Sequence, residues 1–176
     1  MSVLLVPHLN KLPNGGVIMN VSSVLGYNPF SIVNPVYNGT KAWVHFFSMN
    51  LRTQLRDAGK LTSRISNHHS IRVCPFGLLT LEERANSQVC AFTESKIKVV
   101  EIVPPTVETS LHRERKDPDD NKRTHGNLAT LTVTEFMEQV RDGWEKNKDI
   151  CPAGLGHELV EKWYKAYGEA YTGAGG

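Results

Sequence analysis

The chain has 176 residues, a length that predicts one domain, since a single core commonly spans about 100–200 residues. Apolar residues make up 40% and charged residues 22%, well away from a disordered composition. Lysine and arginine total 20 against 18 acidic residues, and a net charge of +2 points to neither nucleic acid nor a membrane surface. Apolar runs are too short for a membrane-spanning helix. The start, MSVLLVPHLNK, lacks a signal-peptide pattern. Three cysteines (Cys74, Cys90, Cys151) fit a reducing compartment, so a soluble, cytoplasmic protein is expected.

Residues 3–12 read as the end of a helix with Leu4, Leu5, His8, Leu9 and Leu12 on one side, followed by the loop signal Pro13-Asn14-Gly15-Gly16. Residues 17–22 (VIMNVS) read as a buried strand of the parallel type. Breakers at Gly26, Pro29 and Pro35 mark residues 24–36 as a loop, and Asn34-Pro35 as a helix start. From Tyr37 to Leu55 the period is helical, with Trp43, Val44, Phe47, Leu51 and Leu55 as the apolar side. Residues 59–95 hold no sustained period; Ile71–Phe76 and Leu78–Ala85 are the two pieces with some order. KIKVVEIV (96–103) is a β-branched run ended by Pro104-Pro105. Residues 113–127 are a charged, turn-rich loop. Residues 133–148 form an amphipathic helix, with Val133, Phe136, Met137, Val140 and Trp144 on one face and a capping box in Thr132-Val133-Thr134-Glu135. A last helix covers 156–171, with Leu159, Val160, Trp163, Tyr164 and Tyr167 as its apolar side, and 172–176 are expected as a disordered tail. Strands alternating with helices predict an α/β fold with a parallel sheet, although only two strands declare themselves.

The residues that carry chemistry are Ser23, Tyr37 and Lys41. Tyr37 and Lys41 lie four apart at a helix start and share a face. An ammonium beside a phenol favours the phenolate, which suits the pair to proton transfer near neutral pH. Ser23 follows a strand end, where open α/β sheets bind ligands, and its hydroxyl can bond a carbonyl or alcohol oxygen. Taken singly, these are also an ordinary surface helix pair and an ordinary turn or cap. The joint pattern is the informative one: apolar strand, Asn20-Val21-Ser22-Ser23, then Tyr37-x-x-x-Lys41, then an amphipathic helix.

The segment GGVIMNVSSVLGYNPFSIVNPVYNGTKAWVHFFSMNLRTQL resembles the short-chain dehydrogenase/reductase superfamily, and KIKVVEIVPPTVETSLH continues the likeness. The resemblance implies a Rossmann-like, doubly wound parallel sheet and a cofactor, NAD or NADP. It also implies a small-molecule carbonyl/alcohol substrate and a homo-oligomer. Ser23 would orient the substrate oxygen, Tyr37 would be the general acid/base, and Lys41 would bind the nicotinamide ribose and tune Tyr37. Asn20 would support the sheet, and Pro104, Val107 and Thr109 would meet the nicotinamide end of the cofactor. Pro105 stands where the family has glycine, removing an N–H and fixing φ.

The family's Gly-rich strand–turn–helix, its Asn-Asn-Ala-Gly segment and its relay asparagine have no counterpart here. The expectation is therefore a partial fold lacking its N-terminal βαβ half over residues 1–171, impaired as a catalyst. The other reading is a non-catalytic fragment that acts, if at all, as an interaction or dimerisation partner. Residues 59–95 are expected to be a retained intron or gene-model error, since Gly59-Lys60 can be encoded by a splice-donor-like GGTAAG; a true surface insertion is the alternative. No metal is expected: His68, His69, Cys74 and Cys90 fit no zinc template, and His112, Arg113, Arg115 and Lys116 read as a solvated loop.

Overall fold

The computed structural model describes residues 2–29, 35–64, 95–110, 123 and 129–174. In chain order the elements are α1 (Ser2–Leu9), β1 (Gly16–Val21), a 3-10 turn (Val24–Gly26), α2 (Pro35–Arg64) and β2 (Ile97–Val103). These are followed by α3 (Val133–Glu145), β3 (Ile150–Pro152) and α4 (Gly156–Ala174). One sheet forms in the order β1-β2-β3. β2 and β3 are parallel, with Glu101 opposite Ile150, Ile102 opposite Cys151 and Val103 opposite Pro152. The Gly16 N–H donates to Lys96 O at 3.4 Å and the Ser22 N–H to Ile102 O at 2.9 Å, an equal advance along both strands, so β1 and β2 are parallel too. Helices alternating with strands of a parallel sheet give the α/β, partial Rossmann-like fold that the sequence predicts. β3 is the strand that sequence periodicity missed; three buried residues are too few to show a period.

The chain divides into two compact units, Met1–Ile18 with Leu51–Lys98, and Met19–Asn50 with Val99–Gly176. In the first, Val6, Ile18, Leu51, Leu55 and Ile97 are buried. The Pro13–Gly16 loop signal has a structural reason there. Gly15 adopts φ +72°, and a Cβ on it would meet Lys96 O at 2.1 Å, so only glycine fits. In the second unit the core is Val24, Val103, Ile150 and Leu159, with Leu25, Tyr27, Val160 and Tyr164 packed against it. α3 approaches β3 so closely at Gly143 that a Cβ would lie 2.9 Å from Cys151 Sγ.

Helix faces depart from the apolar stripes. Leu4 is 83% exposed and Leu5 is exposed, while Val6 is the buried residue of α1. On α2, Trp43 is 64% exposed, with its ring stacked on Phe47 at 4.9 Å. The buried positions of α2 include His45, Ser48 and Arg52 beside Met49, Leu51 and Leu55. Val133, Met137 and Trp144 of α3 are exposed, and its buried residue is Gly143. β1 turns Val17, Met19 and Val21 outward, so it is not the wholly buried strand expected. Polar side chains enter a core wherever their hydrogen bonds are met, which hydropathy alone does not register.

Two boundaries also move. α2 passes through Gly59 and Lys60 to Arg64, beyond the change in composition, and α4 runs to Ala174, so residues 172–174 are helical rather than a disordered tail. Ile71–Phe76, Leu78–Ala85, His68, His69, Cys74, Cys90, His112, Arg113, Arg115 and Lys116 lie outside the described residues. Among the described residues no helix is long and apolar enough to cross a membrane.

Candidate active site

β1 ends at Val21, and two serines carry the chain off the sheet. Ser22 is wholly buried, and both its N–H and its hydroxyl donate to Ile102 O, at 2.9 and 3.3 Å. Ser23, with φ −168°, is the N-cap of the 3-10 turn, its Oγ accepting from the Leu25 N–H at 3.2 Å. That bond uses one lone pair of the hydroxyl and leaves its hydrogen able to donate. The cap reading and the site reading of Ser23 are therefore compatible.

α2 begins at Pro35, whose fixed φ and missing N–H suit a first helical turn. Tyr37 and Lys41 follow one turn apart. Lys41 Nζ donates to Val21 O at 2.9 Å and lies 5.6 Å from the centroid of the Tyr37 ring. Because the Ser22 N–H faces β2, the Val21 carbonyl points to the open edge of β1, where Lys41 takes it. Partial burial holds the Lys41 ammonium below the ordinary lysine value. At Gly26 an added Cβ would lie 2.7 Å from Lys41 O, so the turn capped by Ser23 rests backbone-to-backbone on α2 at Lys41. The fold thus brings Ser23, Tyr37 and Lys41 to one end of β1.

The Asn20 side chain reaches the helix. Its Nδ2 donates to Ser48 Oγ at 3.0 Å, and Ser48 Oγ donates to Val44 O at 2.7 Å, so Asn20 ties β1 to α2. Pro104 lies beside the serine turn, with its carbonyl accepting from the Val24 N–H at 3.1 Å. Val107 forms a parallel bridge with Leu131, and Thr109 is exposed two residues further on. This loop is pinned by Arg123. Its N–H donates to Glu108 Oε1 at 2.9 Å, and its guanidinium donates to Thr130 O at 2.5 Å and to both Glu135 oxygens at 3.2 and 2.8 Å.

Sequence reasoning missed one constellation, His45 with Glu101. Both are wholly buried, and His45 Nδ1 lies 3.0 Å from Glu101 Oε2 and 3.2 Å from Oε1. Two signals were present: His45 lies one turn after Lys41 on the same stripe, and Glu101 is a lone carboxylate inside an apolar strand. A cleft of about 380 Å³ lies between the 3-10 turn and the start of α2, lined by Leu25, Tyr27, Asn38 and Ala42; Ser23, Tyr37 and Lys41 do not line it. Among the described residues no group of three or more His, Cys, Asp or Glu is placed to hold a metal ion.

No family model matches the chain. The chain is similar to an uncharacterised oxidoreductase of Bacillus subtilis (strain 168), DltE, with 28% identity over 148 residues. The match covers 84% of this chain and 41% of that protein, so the chain spans about two fifths of the length of the curated relative it matches.

Proposed function

We propose that this chain carries the proton-transfer centre of an NAD(P)-dependent oxidoreductase that interconverts a carbonyl and an alcohol. The observation that carries the reading is the Lys41 ammonium, held at Val21 O and 5.6 Å from the Tyr37 ring, beside the turn that Ser23 caps. The similarity to a protein described as an oxidoreductase supports it. When bound, the nicotinamide supplies or accepts the hydride. Ser23 donates a hydrogen bond to the reacting oxygen of the substrate. Tyr37 gives its hydroxyl proton to that oxygen during reduction and takes it back during oxidation. The charge of Lys41 stabilises the negative charge that develops between the two oxygens.

The residues present fit the nicotinamide–ribose end of such a cofactor. A lysine has three N–H donors and Val21 O takes one, leaving two for ribose hydroxyls. Pro104, Val107 and Thr109 follow on the adjoining loop. The sequence holds neither a Gly-x-x-x-Gly-x-Gly nor a Gly-x-Gly-x-x-Gly run of the kind that cradles a pyrophosphate at a helix start. A second reading, a non-catalytic chain that pairs with another protein, is favoured by the large apolar side chains that α2 leaves exposed, Trp43 and Phe46.

Titrating the purified chain with NADH and NADPH, read by cofactor fluorescence, separates the two. Saturable micromolar binding supports the first reading, and the absence of both binding and turnover supports the second. Where carbonyl reduction is measured, Tyr37→Phe is expected to lower kcat by about 10²–10⁴-fold, the usual contribution of a positioned acid/base. A Tyr37→Phe protein with undiminished kcat overturns the proton-transfer assignment.

A further inference from the structure

His45 and Glu101 are used by nothing in the mechanism above, yet they are two ionisable side chains with no exposed surface. Burying such a pair costs desolvation that its mutual attraction roughly offsets, so an apolar pair of similar volume would serve stability as well or better. Its place in the fold gives a different reason for it. On α2, Tyr37, Lys41, His45 and Ser48 recur at four-, four- and three-residue steps and form one stripe. Three of these four side chains hold the sheet: Lys41 bonds Val21 O, His45 bonds Glu101 of β2, and Ser48 bonds Asn20 of β1.

The middle tie differs from its neighbours. Both carboxylate oxygens lie within 3.2 Å of the same ring nitrogen, a geometry that suits one Nδ1–H shared between two acceptors. Aromatic rings pack around the imidazole. Tyr27 lies 4.1 Å away between centroids, Trp163 4.9 Å in an edge-on arrangement, and Phe46 5.2 Å. Nε2 has no hydrogen-bond partner among the described residues. A helix sliding or rotating on the sheet would strand both polar groups in this aromatic surround, at the full cost of unpaired buried polar atoms. An apolar contact at the same point would tolerate such a slip.

We propose that His45 and Glu101 are positioning residues that fix the register of α2 on the sheet, and so hold Lys41 at Val21 O and Tyr37 at the end of β1. The proposal rests on the reading of Tyr37 and Lys41 as the proton-transfer pair, but its test needs no catalysis. The environment of Lys41 is the readout. In full-length protein labelled with ¹³C-lysine, the Lys41 Cε signal is assigned by its loss in Lys41→Arg, and its titration is followed by NMR. Wild type is expected to titrate below an ordinary lysine. The double variant His45→Leu with Glu101→Leu is expected to melt cooperatively at an equal or higher temperature, while Lys41 titrates closer to the ordinary lysine value. Glu101→Gln, whose amide oxygen still accepts from Nδ1–H, is expected to keep the wild-type titration.

A folded double variant with an unchanged Lys41 titration overturns the proposal, because the register then does not depend on the pair. So does a Glu101→Gln protein that behaves like the double variant. If the double variant does not fold, the wild-type imidazole decides. A Nδ1-bound proton protected from solvent exchange supports the pair, and one exchanging as fast as in a surface histidine overturns it. A failure of Tyr37→Phe to lower activity would sink the functional reading and leave each of these outcomes readable.

Discussion

Lys41 shows how much one side chain can be asked to do. Its amine bonds a carbonyl at the sheet edge, lies beside the Tyr37 ring and gives up part of its hydration. The last has a measurable consequence whose sign is fixed. Burial lowers the folded-state value of Lys41 below that of the unfolded chain. Between the two values the unfolded chain binds more protons, so stability rises with pH across that window. Below the lowered value the full cost of the charge is present; at pH above the ordinary lysine value it is gone. Chemical denaturation of wild type and Lys41→Met from about pH 8 to about pH 11 is expected to show wild type gaining relative to the variant as pH rises towards the ordinary lysine value near 10.4. Parallel stability curves would show that the charge costs the fold nothing at this position.

Among the elements, α3 was the most legible and its cap the most testable. Thr132 Oγ1 accepts from the Glu135 N–H at 3.2 Å, and the Thr132 N–H donates to Glu135 Oε2 at 2.8 Å, the reciprocal pair that the sequence predicts. Thr132→Ala is expected to cost about 1 kcal/mol of stability by denaturant titration, the usual value of an N-cap. The Thr132 N–H, then its hydroxyl, hold the Glu135 carboxyl below the usual carboxylate range, with Arg123 adding to them. That contribution is complete above the ordinary glutamate value and fades as pH falls through the lowered one. Wild type is therefore expected to lose stability in mild acid more steeply than Glu135→Gln.

What could be read in advance follows from the kind of signal. Caps, β-branched runs and Tyr-x-x-x-Lys are local, so Thr132–Glu135, Ile97–Val103 and the one-turn spacing of Tyr37 and Lys41 stood in the sequence. Trp43 lies outward and His45 inward because which face is covered depends on what packs there, and polar groups enter once bonded. The tie of Asn20 to Ser48 spans 28 residues and that of His45 to Glu101 spans 56, separations at which no periodicity speaks.

Over the chain as a whole, the sheet order sets which backbone is protected. β2 has a strand on either side, and Val99, Val100 and Val103 within it are almost wholly buried. β1 has one neighbour among the described strands. In a strand the N–H groups alternate sides, and those of Gly16 and Ser22 face β2. The N–H groups of Ile18 and Asn20 then face β2 as well, while those of Val17, Met19 and Val21 face the open edge. Exposed edge N–H groups exchange with solvent by small local motions, whereas laddered ones wait for larger openings. Residue-resolved hydrogen exchange is expected to show β2 slowest and β1 alternating, with Ile18, Asn20 and Ser22 slow and Val17, Met19 and Val21 fast. Since those same three residues turn apolar side chains outward, a partner strand would find edge N–H groups and apolar surface along β1, up to the Val21 carbonyl that Lys41 already takes. Uniform slow exchange along β1 would mean that the edge is already occupied in solution, by a second copy of the chain or by another strand. An alternating pattern that becomes uniform as protein concentration is raised would identify the occupant as a second copy.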